Sequence, residues 1–213
     1  MGLKTPYLIA YNVSMFIGWT LFIFSFSSQY LLTKNINLTY EKSFQYLRIF
    51  QYGAVLEIIH IILKLVKSPL MTTIIQVMSR IIIVYILSKV KSSVSIGYIL
   101  LSFAWGVTEM IRYTYYYLSL IQKNYNTKFV IPYPLIWSRY SFFIVLYPIG
   151  VSGELITLWK STIELKNYSF LNINIAYIIY FSFVLYVPGL FVLYTYMLRQ
   201  RKSTFKKLKE KKE

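Results

Sequence analysis

Apolar residues along this chain gather into six long runs: Tyr7–Leu32, Phe44–Val66, Leu70–Val90, Ile96–Ile121, Leu135–Trp159 and Leu171–Leu198. Each comes near or exceeds the roughly 20 residues a helix needs to cross a bilayer. The stretches between them are short and polar, at Thr33–Ser43, Lys67–Pro69, Lys91–Ser95, Gln122–Pro134 and Lys160–Phe170. Pro132 and Pro134 stiffen the entry to the fifth run. The pattern predicts an all-α, polytopic membrane protein, a bundle of about six transmembrane helices. Residues 1–198 are expected to form a single six-span membrane domain and 199–213 a basic cytosolic tail.

Composition agrees with a bilayer and excludes several alternatives. Hydrophobic residues make up 57% of the 213 and charged residues 14%, against about 25% charged in soluble domains, and mean hydropathy is +0.53. The net charge of +16 would suit nucleic acid on a soluble chain. Here the cations sit between apolar runs and in the tail from Arg199 to Lys212, so they read as charges that set topology and meet an anionic leaflet, with no nucleic-acid partner. With no cysteine, no aspartate and His60 as the lone histidine, no thiolate nucleophile, Ser-His-Asp triad or metal site is expected. The first run is too long for a signal-peptide core, and no cleavable signal is expected. An even number of spans puts Lys4, Lys64, Lys67, Lys123, Lys128 and the tail on one side. Lys34, Lys42, Lys89, Lys91, Lys160 and Lys166 fall on the other. The richer side is expected in the cytosol. Lys209 and Lys211 resemble a dilysine retrieval signal for the endoplasmic reticulum.

Ionisable residues inside spans are costly and mark function by default. The runs hold Glu57, His60, Arg80, Glu109, Arg112, Arg139 and Glu154. Glu57 and His60 share a helix face, as do Glu109 and Arg112. Each pair is expected to satisfy itself and stitch the bundle together. Arg80 and Arg139 have no partner in their own helices and must pair across helices, reach the interface or meet an anionic ligand.

The fifth run carries the most chemistry. Tyr147 and Glu154 lie seven residues apart, nearly two turns, so they share a face about 10 Å apart along the axis. Pro148 removes a backbone donor between them, and Gly150 and Gly153 admit a close neighbour. Two readings stand at this point: an acid/base site in a groove, or tight helix packing of small residues.

The order of motifs adds a resemblance. Leu56-Glu57-Ile58-Ile59-His60, Gln76-Val77-Met78-Ser79-Arg80, Trp105 through Tyr116, and Arg139-Tyr140 followed by Tyr147 through Glu154 together resemble the very-long-chain (3R)-3-hydroxyacyl-CoA dehydratases, once called protein tyrosine phosphatase-like proteins. The resemblance runs from about Tyr7 to Leu198. It implies dehydration of a very-long-chain (3R)-3-hydroxyacyl-CoA to the trans-2-enoyl-CoA, the third step of microsomal fatty acid elongation, with no cofactor. Tyr147 and Glu154 match the family's catalytic pair, while Arg80, Arg112, Arg139 and Gly150 are expected to bind substrate or support the site. Which of the pair is acid and which base stays open. The implied partners are acyl-CoA, membrane lipid and neighbouring elongase and reductase enzymes. The CoA head is expected near Arg139, Arg112, Lys123 and Lys128. A non-catalytic scaffold of the elongase complex and a small membrane transporter are the alternative readings.

Overall fold

The computed structural model describes residues 3–125, 129–171 and 173–210. Among these residues, eight α-helices run in chain order: α1 (Lys4–Thr33), α2 (Ile36–Gly53), α3 (Val55–Ile62), α4 (Leu70–Lys89), α5 (Ile96–Asn124), α6 (Tyr133–Ser141), α7 (Phe143–Leu165) and α8 (Ile175–Glu210). A two-residue hairpin, β1 (Ser169–Phe170) and β2 (Ile173–Asn174), joins α7 to α8, with Ser169 opposite Asn174. Among the described residues, α1, α4, α7 and α8 are long and apolar enough to cross a membrane by length and composition.

Three expectations change. The expected loop Thr33–Ser43 is mostly helix. Lys34 closes α1 in the left-handed region at φ 51°, and Asn35 opens α2 by accepting from the Leu38 amide at 3.1 Å. Two of the polar residues that look like a loop, Thr39 and Ser43, are buried and satisfied locally. The Thr39 hydroxyl donates to the Asn35 carbonyl at 2.7 Å, and Ser43 Oγ lies 2.6 Å from the Thr39 carbonyl and 2.7 Å from the Tyr98 hydroxyl. At the other end of this segment the helix breaks at Ala54 and α3 ends at Ile62, short of Val66. Finally, α7 extends to Leu165, and α8 continues through the basic segment to Glu210 as one helix.

α5 is the central element, packed along α1 on one side and α7 on the other. Trp19, Phe22, Leu47, Tyr98, Leu101 and Tyr113 are fully buried between α1, α2 and α5. The α5–α7 contact is made by glycines. A Cβ on Gly153 would meet the Leu101 amide nitrogen at 2.5 Å and the Gly97 carbonyl at 2.8 Å; one on Gly97 would meet the Gly153 carbonyl at 2.7 Å. The two backbones touch, which only glycine permits, and this fixes α7 against α5 one residue before Glu154. α8 is the least embedded helix, burying only Ala176 and Ile179 and exposing Phe181, Val184, Val187 and Phe191.

Candidate active site

Glu154 lies near the middle of α7 and is 7% exposed. Leaving a buried carboxyl unbonded is expensive, and two other helices supply donors. The indole nitrogen of Trp105, from α5, donates to Oε1 at 3.1 Å, and the hydroxyl of Tyr186, from α8, donates to Oε2 at 2.8 Å. Gly150, one turn earlier on α7, makes room for the indole: a Cβ there would sit 3.3 Å from the Ala104 Cβ and 3.7 Å from Trp105 Nε1. The carboxyl is therefore clamped from two sides, with lone pairs on both oxygens still open.

The Trp105 ring is fixed in turn. The guanidinium of Arg80, on α4, lies over it at 5.0 Å, a cation–π contact. Arg80 also pairs with Glu109, and Glu109 accepts from Arg112 Nε at 2.6 Å. Arg112 grips Glu57 with both terminal nitrogens, at 2.9 and 2.6 Å, and Tyr113 donates to the same carboxylate at 2.5 Å. The result is a chain of alternating charges, Arg80–Glu109–Arg112–Glu57, joining α4, α5 and α3. Two cations face two anions, so the buried charge balances.

The expected self-contained pairing therefore holds for Glu109 with Arg112 and fails for Glu57 with His60. Arg112 presents a planar fork that matches a carboxylate with two bonds, and it takes Glu57. His60 lies 2.9 Å from the Tyr7 hydroxyl and edge-on to the rings of Tyr7 and Tyr11. Of the two arginines without a partner in their own helix, Arg80 finds Glu109 across helices. Arg139 finds no carboxylate among the described residues. It donates to the Tyr116 hydroxyl at 3.2 Å, lies over the Tyr116 and Tyr140 rings, and keeps its buried Nε unbonded.

Tyr147 makes no hydrogen bond to Glu154. Its half-buried ring stacks on Tyr194 of α8, with centroids 6.3 Å apart. Tyr147 and Glu154 lie about two helical turns apart along α7. The structure thus gathers Glu154, Gly150, Arg80 and, more distantly, Tyr147 around one point. Arg112 stands one link further out, saturated by carboxylates, and Arg139 stands apart. Lys123 is exposed at the end of α5, and Lys128 lies outside the described residues. Trp105 and Tyr186 are the site residues that sequence reasoning passed over. Trp105 stands in the Trp105–Tyr116 motif, whereas Tyr186 is one of 22 tyrosines and carries no signal of its own beyond its place in the last apolar run.

Known proteins resemble this chain over nearly its whole length. A protein named very-long-chain (3R)-3-hydroxyacyl-CoA dehydratase hpo-8, from Caenorhabditis elegans, is 38% identical over 95% of this chain and 95% of its own length. One named very-long-chain (3R)-3-hydroxyacyl-CoA dehydratase 2, from Homo sapiens, is 33% identical over 99% of this chain and 85% of its own. A probable very-long-chain (3R)-3-hydroxyacyl-CoA dehydratase from Schizosaccharomyces pombe is 35% identical over 96% and 95%. No solved structure matches the chain. The family model described as protein tyrosine phosphatase-like protein, PTPLA, covers residues 51–207, from the end of α2 to the basic end of α8, a range that includes Glu57, Arg80, Trp105, Glu154 and Tyr186. With that match over most of its length, the chain belongs to the protein tyrosine phosphatase-like (PTPLA) family.

Proposed function

We propose that this protein is a membrane-embedded dehydratase that converts a very-long-chain (3R)-3-hydroxyacyl-CoA to the trans-2-enoyl-CoA. The observation that carries the reading is the clamped carboxyl of Glu154, two turns from Tyr147, in a chain whose relatives bear that enzyme's name. The thiolate chemistry of a tyrosine phosphatase cannot apply, since the chain has no cysteine.

Elimination of water requires loss of a proton from C2, next to the thioester, and departure of the C3 hydroxyl with a proton. Trp105 is a donor only and Tyr186 donates in the observed geometry, so both clamps suit the carboxylate form. That form accepts from both and keeps lone pairs for substrate. Glu154 is therefore the base that takes the C2 proton. Tyr147 is the acid that gives its phenolic proton to the C3 hydroxyl, which leaves as water while the C2–H electron pair forms the C2=C3 bond. The products are the enoyl thioester, water, a protonated Glu154 and a Tyr147 phenolate; return of one proton from carboxyl to phenolate resets the pair. Trp105, Tyr186 and Gly150 position Glu154, and Arg80 positions Trp105.

We assign six spans over residues 1–198, counting α2 with α3 and α6 with α7 as single crossings. The reaction belongs to the third step of fatty acid elongation, in the endoplasmic reticulum membrane with both termini cytosolic. Lys4 Nζ, which reaches the Lys64 carbonyl at 3.5 Å, supports one end for both lysines, and the Tyr133–Phe205 ring contact, with centroids 6.4 Å apart, supports one end for the start of α6 and the basic end of α8. Elongase and reductase enzymes that supply the 3-hydroxyacyl-CoA and consume the enoyl product would be its neighbours. Incubating purified protein with a (3R)-3-hydroxyacyl-CoA and following the enoyl-CoA tests the reading. Turnover abolished by Glu154→Gln supports it, and no turnover by the folded wild type refutes it. Such an absence of turnover would leave the non-catalytic scaffold.

A further inference from the structure

Between α6 and the basic end of α8 lies an open pocket of about 430 Å³ lined by Tyr133, Trp137, Arg201, Phe205, Leu208 and Lys209. Three aromatic rings come from two facing helices, and two cations stand among them. Tyr133 and Phe205 touch edge-on where the two helices meet, with centroids 6.4 Å apart, and the Arg201 guanidinium lies over Phe205 at 5.1 Å. Arg201 Nε donates to Ser141 Oγ at 3.0 Å, which fixes the arginine's direction, and Arg201 makes no ion pair among the described residues. A row of aromatics and cations at a membrane boundary often serves only as an interfacial anchor. Here the rings form a concavity between two helices, and a second observation lies beside it. Tyr140 carries on its ring the guanidinium of Arg139, a cation with no carboxylate among the described residues and a buried, unbonded Nε. Positive charge thus continues from the pocket toward the bundle interior.

We infer that this pocket is the nucleotide subsite for the substrate's coenzyme A, with adenine against Trp137 and Tyr133 and phosphates on Arg201 and Lys209. The inference rests on the dehydratase reading and deepens it. Aromatic faces stack on a purine, and arginine's planar fork matches phosphate oxygens. The span fits as well: Trp137 precedes Glu154 by roughly 25 Å of helix at about 1.5 Å per residue, a separation that an extended pantetheine arm and its diphosphate can bridge. The basic end of α8 is then part of the binding site as well as a topological charge.

The test compares two substrates of one acyl chain, the 3-hydroxyacyl-CoA and the 3-hydroxyacyl-pantetheine, on full-length protein in zwitterionic nanodiscs. Arg201→Ala and Trp137→Leu should each raise KM for the CoA substrate about tenfold, the size expected for one lost charge-assisted bond in the first and one lost base–aromatic stack in the second. The preference in kcat/KM for CoA over pantetheine should fall by the same factor. Adenosine 3′,5′-bisphosphate should bind the wild type by calorimetry and compete with the CoA substrate. An unchanged preference, with kcat/KM falling equally on both substrates or on neither, overturns the subsite, as does wild-type protein that fails to bind the bisphosphate. A KM effect seen only in nanodiscs containing phosphatidylserine would assign the pocket to lipid headgroups and overturn it too. Wild-type turnover of both substrates, with no nucleotide effect, would leave the dehydratase reading standing while removing this one. Wild-type protein inactive on both substrates but binding the bisphosphate would do the reverse.

Discussion

Replacing Trp105 by phenylalanine keeps an aromatic face for the Arg80 guanidinium, which lies 5.0 Å from the Trp105 ring, but shortens the side chain and removes the indole atoms nearest Gly150. The polar loss is the 3.1 Å bond to Glu154 Oε1. A hydrogen bond to a charged acceptor contributes about 1.5–3 kcal/mol. At about 1.4 kcal/mol per decade, losing it should lower kcat/KM by roughly tenfold to a hundredfold. The fall should lie in kcat, because the bond orients the base and touches no part of the acyl chain. Tyr186→Phe removes the other clamp, at 2.8 Å, and should act similarly. Because both donors hold the same carboxyl, the double variant should depart from the product of the two single effects. Steady-state kinetics on protein checked for an unchanged Tm would decide it. Wild-type kcat/KM in folded Trp105→Phe, or a loss that merely tracks a lower Tm, refutes the positioning role.

Further outcomes follow from the packing and charge network. Gly153→Ala places a Cβ 2.5 Å from a backbone nitrogen that cannot swing away, so it should destabilise the bundle by at least about 1–3 kcal/mol. Gly150→Ala, whose nearest neighbour is a methyl at 3.3 Å, should lower Tm less and act mainly on kcat by crowding Trp105; thermal melts and kinetics in the same detergent compare them. Arg112→Ala strands Glu57 as an uncompensated charge and leaves Glu109 with Arg80 alone, and should cost about 3–5 kcal/mol, measured as lost folded yield, whereas Glu57→Gln should be milder. The acid/base assignment predicts that Tyr147→Phe still exchanges the C2 hydrogen of substrate with deuterium while forming little enoyl product, and that Glu154→Gln stops both; exchange that persists in Glu154→Gln instead would reverse the roles.

The long apolar runs disclosed most of the helical layout because lipid demands an uninterrupted apolar stretch, a signal no loop can imitate. Thr39 and Ser43 hid the start of the second helix. Their hydroxyls turn inward and bond to backbone carbonyls and to Tyr98, a choice that local sequence does not reveal. Glu154 stood out as a carboxyl in an apolar run, and Gly150 and Gly153 as small residues beside it. The identity of its clamps was not legible, because which of many aromatic side chains reaches Glu154 depends on how α5, α7 and α8 pack. The same holds for Glu57. A partner three residues away on its own helix is visible in the sequence, whereas Arg112 becomes its partner only once α3 and α5 meet.

The central claim is that the Glu154 carboxyl, held by Trp105 and Tyr186, performs the elimination with Tyr147. Purified wild type, Glu154→Gln and Tyr147→Phe, each shown to be folded, should be given a very-long-chain (3R)-3-hydroxyacyl-CoA and the trans-2-enoyl-CoA quantified by mass. The account predicts product from the wild type and a fall in kcat of at least about a hundredfold in either variant, at the low end of what a positioned acid or base contributes. Product formed at the wild-type rate by folded Glu154→Gln would contradict it.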